Sequence, residues 1–336
     1  MTGVAPARAI DPRIEAAFLR DNGFPLREHL IVLGVVGSHS HGTYFPPDEP
    51  DAVDDVDLMG FVVPPLDYHL GLPRWEHWTY KEDELDVVIY SLNKAVRLLL
   101  KSNPNIVGML WLREEDYIHQ HPVFSQILTQ RGIFSSRHAA AAFAGYAYGQ
   151  LQRMEAFDPQ RMAEYESLTS AIAAVGDTGE VLVADGATLL ARAQQWALAP
   201  DLLLRFRALH RSHFSGYMGA KRKAMVRKYQ YDVKNAAHLI RLLRMGAEFL
   251  RTGVLQVYRT TDGEEIKAIK RGEWALDRVK AEAKTLFEGL EAARETSPLP
   301  TEPDREGAHL LLLSTHRTVL ALGRPIPSLA RGVHNA

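Results

Sequence analysis

GVVGSHSHGTYFPPDEPDAVDDVDLMGFVV, residues 34–63, places two unlike features close together. The glycine–serine turn Gly37–Ser38 closes one apolar run, and Asp54, Asp55 and Asp57 open the next. HLIVLGVVGS (29–38) reads as a buried strand ending in that turn, and VDLMGFVVP (56–64) as a second strand halted by Pro64 and Pro65. LDVVIYSL (85–92) is a third. It alternates, so Leu85, Val87 and Ile89 take one face and Asp86, Val88 and Tyr90 the other. NKAVRLLLKS (93–102) has helical spacing and is predicted to stop at Asn103-Pro104-Asn105, with a further short helix in NIVGMLWL.

Beyond about residue 120 the pattern changes. SSRHAAAAFAGYAYGQLQRM (135–154) reads as an amphipathic helix, and 160–175, 186–196, 200–213, 218–252, 273–294 and 304–321 also have helical spacing. Only GEVLVAD (179–185) and VLQVYRT (254–260) look like strands, and TSPLPTEPDREG (296–307) is a proline-rich loop. The expectation is an α+β chain. A catalytic domain over residues 1–130, built on a small mixed sheet with helices, precedes a mainly α-helical domain over 131–336 whose basic face closes a cleft.

Composition excludes several classes. The 336 residues contain no cysteine, so disulfides and cysteine-held metals are impossible. The apolar runs are too short to span a bilayer and the start of the sequence is not signal-like, so a cytoplasmic protein without membrane contact is expected. No G-x-x-x-x-G-K-[ST], G-x-G-x-x-G after a strand, G-x-S-x-G or H-E-x-x-H occurs. The net charge of −2 hides a segregation: between 45 and 90 only Arg74 and Lys81 are basic, whereas KRKAMVRKYQYDVK fills 221–234. Such asymmetry points to a polyanionic partner.

Asp55 and Asp57, two apart on a strand, share a face, and Asp86 lies on another strand away from its apolar side. If those strands are neighbours, three carboxylates converge, an arrangement that needs cations to neutralise it. Hard oxygen donors suit Mg²⁺ or Mn²⁺, and two such ions about 3.5–4 Å apart can serve phosphoryl transfer. Asp54, beside them, should point away. The Gly37–Ser38 turn, extended by Gly42 and Thr43, has the backbone freedom and hydroxyl donors of a phosphate-binding loop. His39 and His41 are open to three readings: a transition-metal pair, phosphate contact, or loop packing. Lys221, Arg227 and Lys228 sit near Tyr229, Tyr231 and Asp232, and Lys234, His238, Arg241 and Arg244 can line one helical stripe. That basic set either neutralises phosphates or forms an interdomain hydrogen-bonded network. Arg271 is a similar, lesser candidate. Trp75, Trp78 and Trp111 read as core or hinge residues.

The order GSHSHGT…DDVDLMG…PPLDYHLGL…ELDVVIYSLNKAVRLLLKSNPNIVGMLW resembles the DNA polymerase β-like nucleotidyltransferases, and within them the bacterial and phage family RlaP, associated with RNA repair. FAGYAYGQLQRM and VRKYQYDVKNAAHLIRLLRMGAEFLRTG fit that family's helical half. The resemblance implies a polymerase β-type fold with Gly37 and Ser38 binding nucleotide phosphates. It implies Asp55 and Asp57 as metal ligands, with Asp86 as a third ligand and base toward the attacking hydroxyl. The implied reaction, with two Mg²⁺ or Mn²⁺ ions, transfers a nucleoside monophosphate from an NTP such as ATP to an acceptor hydroxyl and releases pyrophosphate. An RNA 3′ end, tRNA included, is the leading acceptor. Thr43, Lys228, Lys234, His238 and Arg241 complete the expected nucleotide-binding set. A toxin–antitoxin-type enzyme modifying tRNA or protein, and a non-catalytic nucleotide or RNA sensor, are the alternatives. The sequence departs from the pattern in the FPPDEPDAV insert, in Asp54 before the first catalytic aspartate, and in Met59 before Gly60.

Overall fold

The computed structural model describes residues 9–46, 49, 55–83, 85–155 and 220–320, the side chains of 155, 220, 221 and 223 excepted. Helix α1 (Pro12–Asn22) starts at Asp11, whose carboxylate accepts from Arg13 N at 2.9 Å. The short α2 (Leu26–His29) leads into β1 (Leu30–Val35), which ends in α3 (Gly37–Ser40), a single helical turn. Then come β2 (Val56–Val62), α4 (Asp67–Leu70), β3 (His77–Glu82) and β4 (Leu85–Ser91). Ser91 caps α5 (Leu92–Leu99), its hydroxyl accepting from Lys94 N at 3.2 Å. Asn103 caps α6 (Pro104–Gly108), and β5 (Tyr117–Gln120), α7 (Phe124–Thr129) and α8 (His138–Glu155) complete the first half. The described part of the second half holds α9 (Ala220–Tyr229), α10 (Val233–Thr252), α11 (Gly263–Lys270), α12 (Leu276–Glu295) and α13 (Arg305–Val319).

The strands form one sheet in the order β3-β4-β2-β1-β5, parallel between β2 and β4 and antiparallel elsewhere. This is the expected α+β architecture. One face buries Leu33, Val35, Leu58, Val62, Val87 and Ile89 against Ile14, Phe18 and Phe24 of the N-terminal segment. Trp78 joins that core edge-on to Phe18, with ring centroids 5.1 Å apart. The opposite face feeds Val32, Met59 and Phe61 into a core that runs through α5–α8 into α10. The helices after α8 therefore pack directly over the face of the sheet that carries Asp57 and Asp86. No helix among the described residues is long and apolar enough to cross a membrane.

Two strands escaped the sequence reading. β3, HWTYKE, is an edge strand with only Trp78 and Tyr80 on its core side and polar residues elsewhere, and β5 has only four residues. The expected strand at 254–260 is not formed. Leu255 and Val257 are buried, which accounts for the alternation, but among the described residues the segment has no ladder partner and is a loop laid against the Gly37–Ser38 region. The readings at 160–175, 179–185, 186–196 and 200–213 lie outside the described residues, as does Asp54.

Candidate active site

The register of the sheet builds the site. Asp57 of β2 lies directly opposite Asp86 of the parallel neighbour β4, and Lys81 of β3 lies opposite Asp86 from the other side. Lys81, Asp86 and Asp57 therefore form one row on one face across three adjacent strands. Beyond Asp57 the row meets the turn after β1, where Val36 N donates to the Asp57 carbonyl at 2.8 Å. Gly37 has φ of +66°, and a Cβ there would lie 2.0 Å from Asp57 Oδ2. Both the backbone conformation and the close carboxylate demand glycine.

Asp55 joins from the residue before β2. Lys81 Nζ donates to Asp55 Oδ2 at 3.0 Å and to Asp86 Oδ2 at 3.2 Å, bridging the two carboxylates. These contacts, Asp55's first, hold the Lys81 ammonium above its ordinary pKa. Among the described residues no three His, Asp or Glu side chains are gathered as a ready metal-ligand group. The donors nonetheless fit a hard divalent ion in kind: carboxylate oxygens in register on one face, with Asp57 locked against Gly37. As the chain stands, an ammonium takes the cation's part between two of them.

Asp57 and Asp86 of this row stand in one wall of a cleft of about 620 Å³, with Asp55 and Lys81 outside its lining. Gly37, Ser38, Asp57 and Asp86 line it on the sheet side, and Lys234, His238 and Arg241 face them from α10. Their i, i+4, i+7 spacing is the stripe expected from the sequence. Tyr146, Gln150 and Arg153 of α8 line the same cleft; they were missed, although they repeat that spacing in FAGYAYGQLQRM.

Arg241 differs from its neighbours. It is 8% exposed, and among the described residues its hydrogen bond goes to Met245 Sδ at 3.1 Å, with no carboxylate. Burial, and then the adjacent Arg259 cation, push its pKa down to about 10, against the pull of the Asp262 carboxylate, which is hydrogen-bonded to Arg244 and Arg259 instead. Arg259 is satisfied by Glu248 and Asp262, and Arg244 by Asp262, Glu265 and Glu282, so these two hold the helices together. Arg241 is a buried cation aimed into a cleft, which is a costly arrangement unless an anion answers it.

The remaining candidates separate into struts and outliers. His41 lies near Val257, its Nδ1 3.0 Å from the Val257 carbonyl, while Arg259 N donates to the His41 carbonyl at 3.1 Å. This pair clamps the phosphate-type turn to the loop after α10. Gly42, with φ of +69°, leaves room for the Tyr258 ring, which a Cβ would meet at 2.7 Å. His39 stacks on Tyr44, with centroids 3.7 Å apart. Thr43 is buried outside the cleft lining, its carbonyl accepting from Lys270 Nζ at 2.6 Å, because the loop after Gly42 turns down onto α11. Lys228 is exposed on α9 over the Tyr229 ring, also away from the lining. Asp232 caps α10 and binds Arg222, and Tyr231 Oη donates to the Trp274 carbonyl, so those residues belong to the scaffold. Arg271 lies over Phe45 and near Glu49.

His41 and His238 both sit well below the usual histidine pKa, chiefly through loss of water around the ring and then through Arg241. They are neutral in the folded protein, and the unfolded chain takes up their protons below a pH of about 6.5. Stability is therefore full above that pH and falls as the solution is acidified. His119 and His316 are lowered in the same sense by burial and add to the slope. The thermal midpoint is expected to drop by several degrees between about pH 7.5 and about pH 5.5, with a shallower drop in His238→Gln, since each such histidine contributes roughly 1.4 kcal/mol per pH unit below 6.5. Parallel pH–stability profiles for wild type and variant would refute the assignment.

Residues 18–167 match the family RlaP, described as the RNA repair pathway DNA polymerase beta family, over a little under half of the chain. The resemblance seen in the sequence is thereby borne out for that segment, and a nucleotidyltransferase-type function is supported. Among curated proteins nothing matches. A crystal structure of a nucleotidyltransferase-like protein from Exiguobacterium sibiricum aligns at 12% identity, covering 84% of this chain and 73% of that one with a TM-score of 0.23. That fit is too distant to inform the site.

Proposed function

We propose that this chain, whose residues 18–167 form an RlaP-type segment, is a metal-dependent nucleotidyltransferase that moves a nucleoside monophosphate from an NTP onto an acceptor hydroxyl. One observation carries the proposal: Asp57 and Asp86 face, across a single cleft, a buried arginine that among the described residues hydrogen-bonds no carboxylate. Carboxylates call for cations and the arginine calls for an anion, and a metal-bound triphosphate supplies both.

Gly37 and Ser38 seat the phosphates at the end of β1, and Arg241 and Lys234 meet them from α10. Asp55, Asp57 and Asp86 would hold Mg²⁺ or Mn²⁺, which when bound neutralises the triphosphate and polarises its phosphorus centres. Asp86, the third carboxylate, would take the proton from the attacking hydroxyl. The new bond joins the acceptor oxygen to the α-phosphorus, the α–β phosphoanhydride bond breaks, and pyrophosphate leaves. An RNA 3′ end is the acceptor class favoured by the family description.

The test is incubation of the full-length protein with α-³²P-labelled NTPs, Mg²⁺ and RNAs bearing a free or a blocked 3′ hydroxyl. Label on the free-ended RNA, absent from the blocked one and matched by pyrophosphate release, is the expected result. Label on protein would replace RNA by a protein acceptor. NTP binding without pyrophosphate release under every acceptor condition would overturn the enzymatic reading in favour of a sensor.

A further inference from the structure

Lys81 was a bare basic residue in an acidic stretch, and the fold gives it a place. It stands at the end of the row Lys81–Asp86–Asp57, set there by the register of β3 on β4 and of β4 on β2. Its ammonium contacts two of the three carboxylates on which the proposed function rests. Asp57 and Asp86 are direct cross-strand partners in a parallel pair, a like-charge arrangement that destabilises a sheet unless a cation lies close by. Glu82 and Asp83, next along the chain, face Arg13 instead, so Lys81 is the basic group that β3 turns toward the row. The ammonium and a divalent ion both need the oxygens of Asp55 and Asp86.

We propose that Lys81 is a positioning residue that serves as the site's resident cation. It holds Asp55 and Asp86 together before metal arrives, competes with the metal for their oxygens, and swings out as the metal binds. The inference rests on the metal reading of the site given above. The competition keeps the carboxylates from taking metal firmly without nucleotide, so that ion and triphosphate load together. Side-chain exposures of 59% for Lys81, 41% for Asp55 and 36% for Asp86 leave the lysine room to move into solvent.

The experiment is Mn²⁺ titration of the full chain without nucleotide, followed by electron paramagnetic resonance of the unbound ion. It compares wild type, Lys81→Met, Lys81→Arg and Asp57→Asn. Lys81→Met is expected to bind Mn²⁺ roughly 3- to 10-fold more tightly than wild type, the scale set by two exposed ion pairs. Lys81→Arg, which keeps the charge, should stay within about twofold of wild type. Unchanged or weakened Mn²⁺ binding in Lys81→Met, with its thermal midpoint intact, overturns the proposal. If Asp57→Asn binds Mn²⁺ as wild type does, the metal reading of the site fails instead, so the two failures are separable.

Discussion

Asp57→Asn is expected to lower nucleotidyl transfer by roughly 10³-fold or more, the upper range for losing one preorganised electrostatic contact with the reacting charge. Asp57 has the most constrained position of the three carboxylates. Its carbonyl accepts from Val36 N, its carboxylate lies against Gly37, and its strand partner is Asp86. An asparagine fits the same space while removing the charge that would hold the metal. The fold should not suffer, because relieving the repulsion between Asp57 and Asp86 offsets whatever the lost carboxylate contributes. The expected signature is therefore an inactive protein with an unchanged or slightly raised thermal midpoint. Gly37→Ala approaches the same defect sterically, since its Cβ would meet Asp57 Oδ2 at 2.0 Å on a backbone with positive φ. It should lose activity together with some stability. Pyrophosphate release and circular dichroism distinguish the two cases. Full activity in Asp57→Asn would remove the carboxylate row from the chemistry.

How much of this was legible in the sequence depends on what each residue needed. Asp57 and Asp86 could be placed on faces, because alternation along a strand is local and Leu85, Val87 and Ile89 mark the buried side. That their strands are parallel neighbours in direct register is a long-range fact that no local pattern encodes. Lys81 was invisible for the same reason: its meaning comes from lying opposite Asp86, and β3 carries no apolar signal strong enough to be recognised as a strand. The stripe Lys234–His238–Arg241 was readable, but not the difference between Arg241 and Arg244. Both are arginines on one helix, and only packing shows that Arg244 meets Asp262, Glu265 and Glu282 while Arg241 meets a thioether. His41 shows the limit most plainly. Its proximity to metal-type acids suggested chemistry, whereas its ring lies beside the carbonyl of a residue 216 positions along the chain.

Arg241→Met separates binding from stability. A buried guanidinium that among the described residues hydrogen-bonds no carboxylate is a burden on the folded state, and replacing such a group with an apolar side chain of similar length is often neutral or stabilising. Here the surroundings are already suited to it. Met245 is the group Arg241 touches, Leu242 lines the same cleft, and the neighbouring Arg259 cation repels the guanidinium that methionine would remove. The thermal midpoint of Arg241→Met should therefore hold or rise. Nucleotide binding should move the other way. A charge-assisted hydrogen bond to phosphate is worth about 1.5–3 kcal/mol, so NTP affinity should fall roughly 10- to 100-fold. The loss should grow from nucleoside mono- to triphosphate and shrink as salt is raised. Titration with a non-hydrolysable triphosphate analogue, run beside thermal unfolding, reads both effects in one protein. Arg244→Met is the control that should behave oppositely, losing stability because it strands Glu265 and Glu282 and leaves Asp262 to Arg259 alone, while the cleft's anion-facing cation stays in place. If Arg241→Met were destabilised and still bound triphosphate normally, Arg241 would be a scaffold residue and the anion would have to be held by the Gly37–Ser38 turn and Lys234 alone. A protein that grows more stable as it loses its ligand would instead identify Arg241 as a charge kept buried for the sake of the triphosphate.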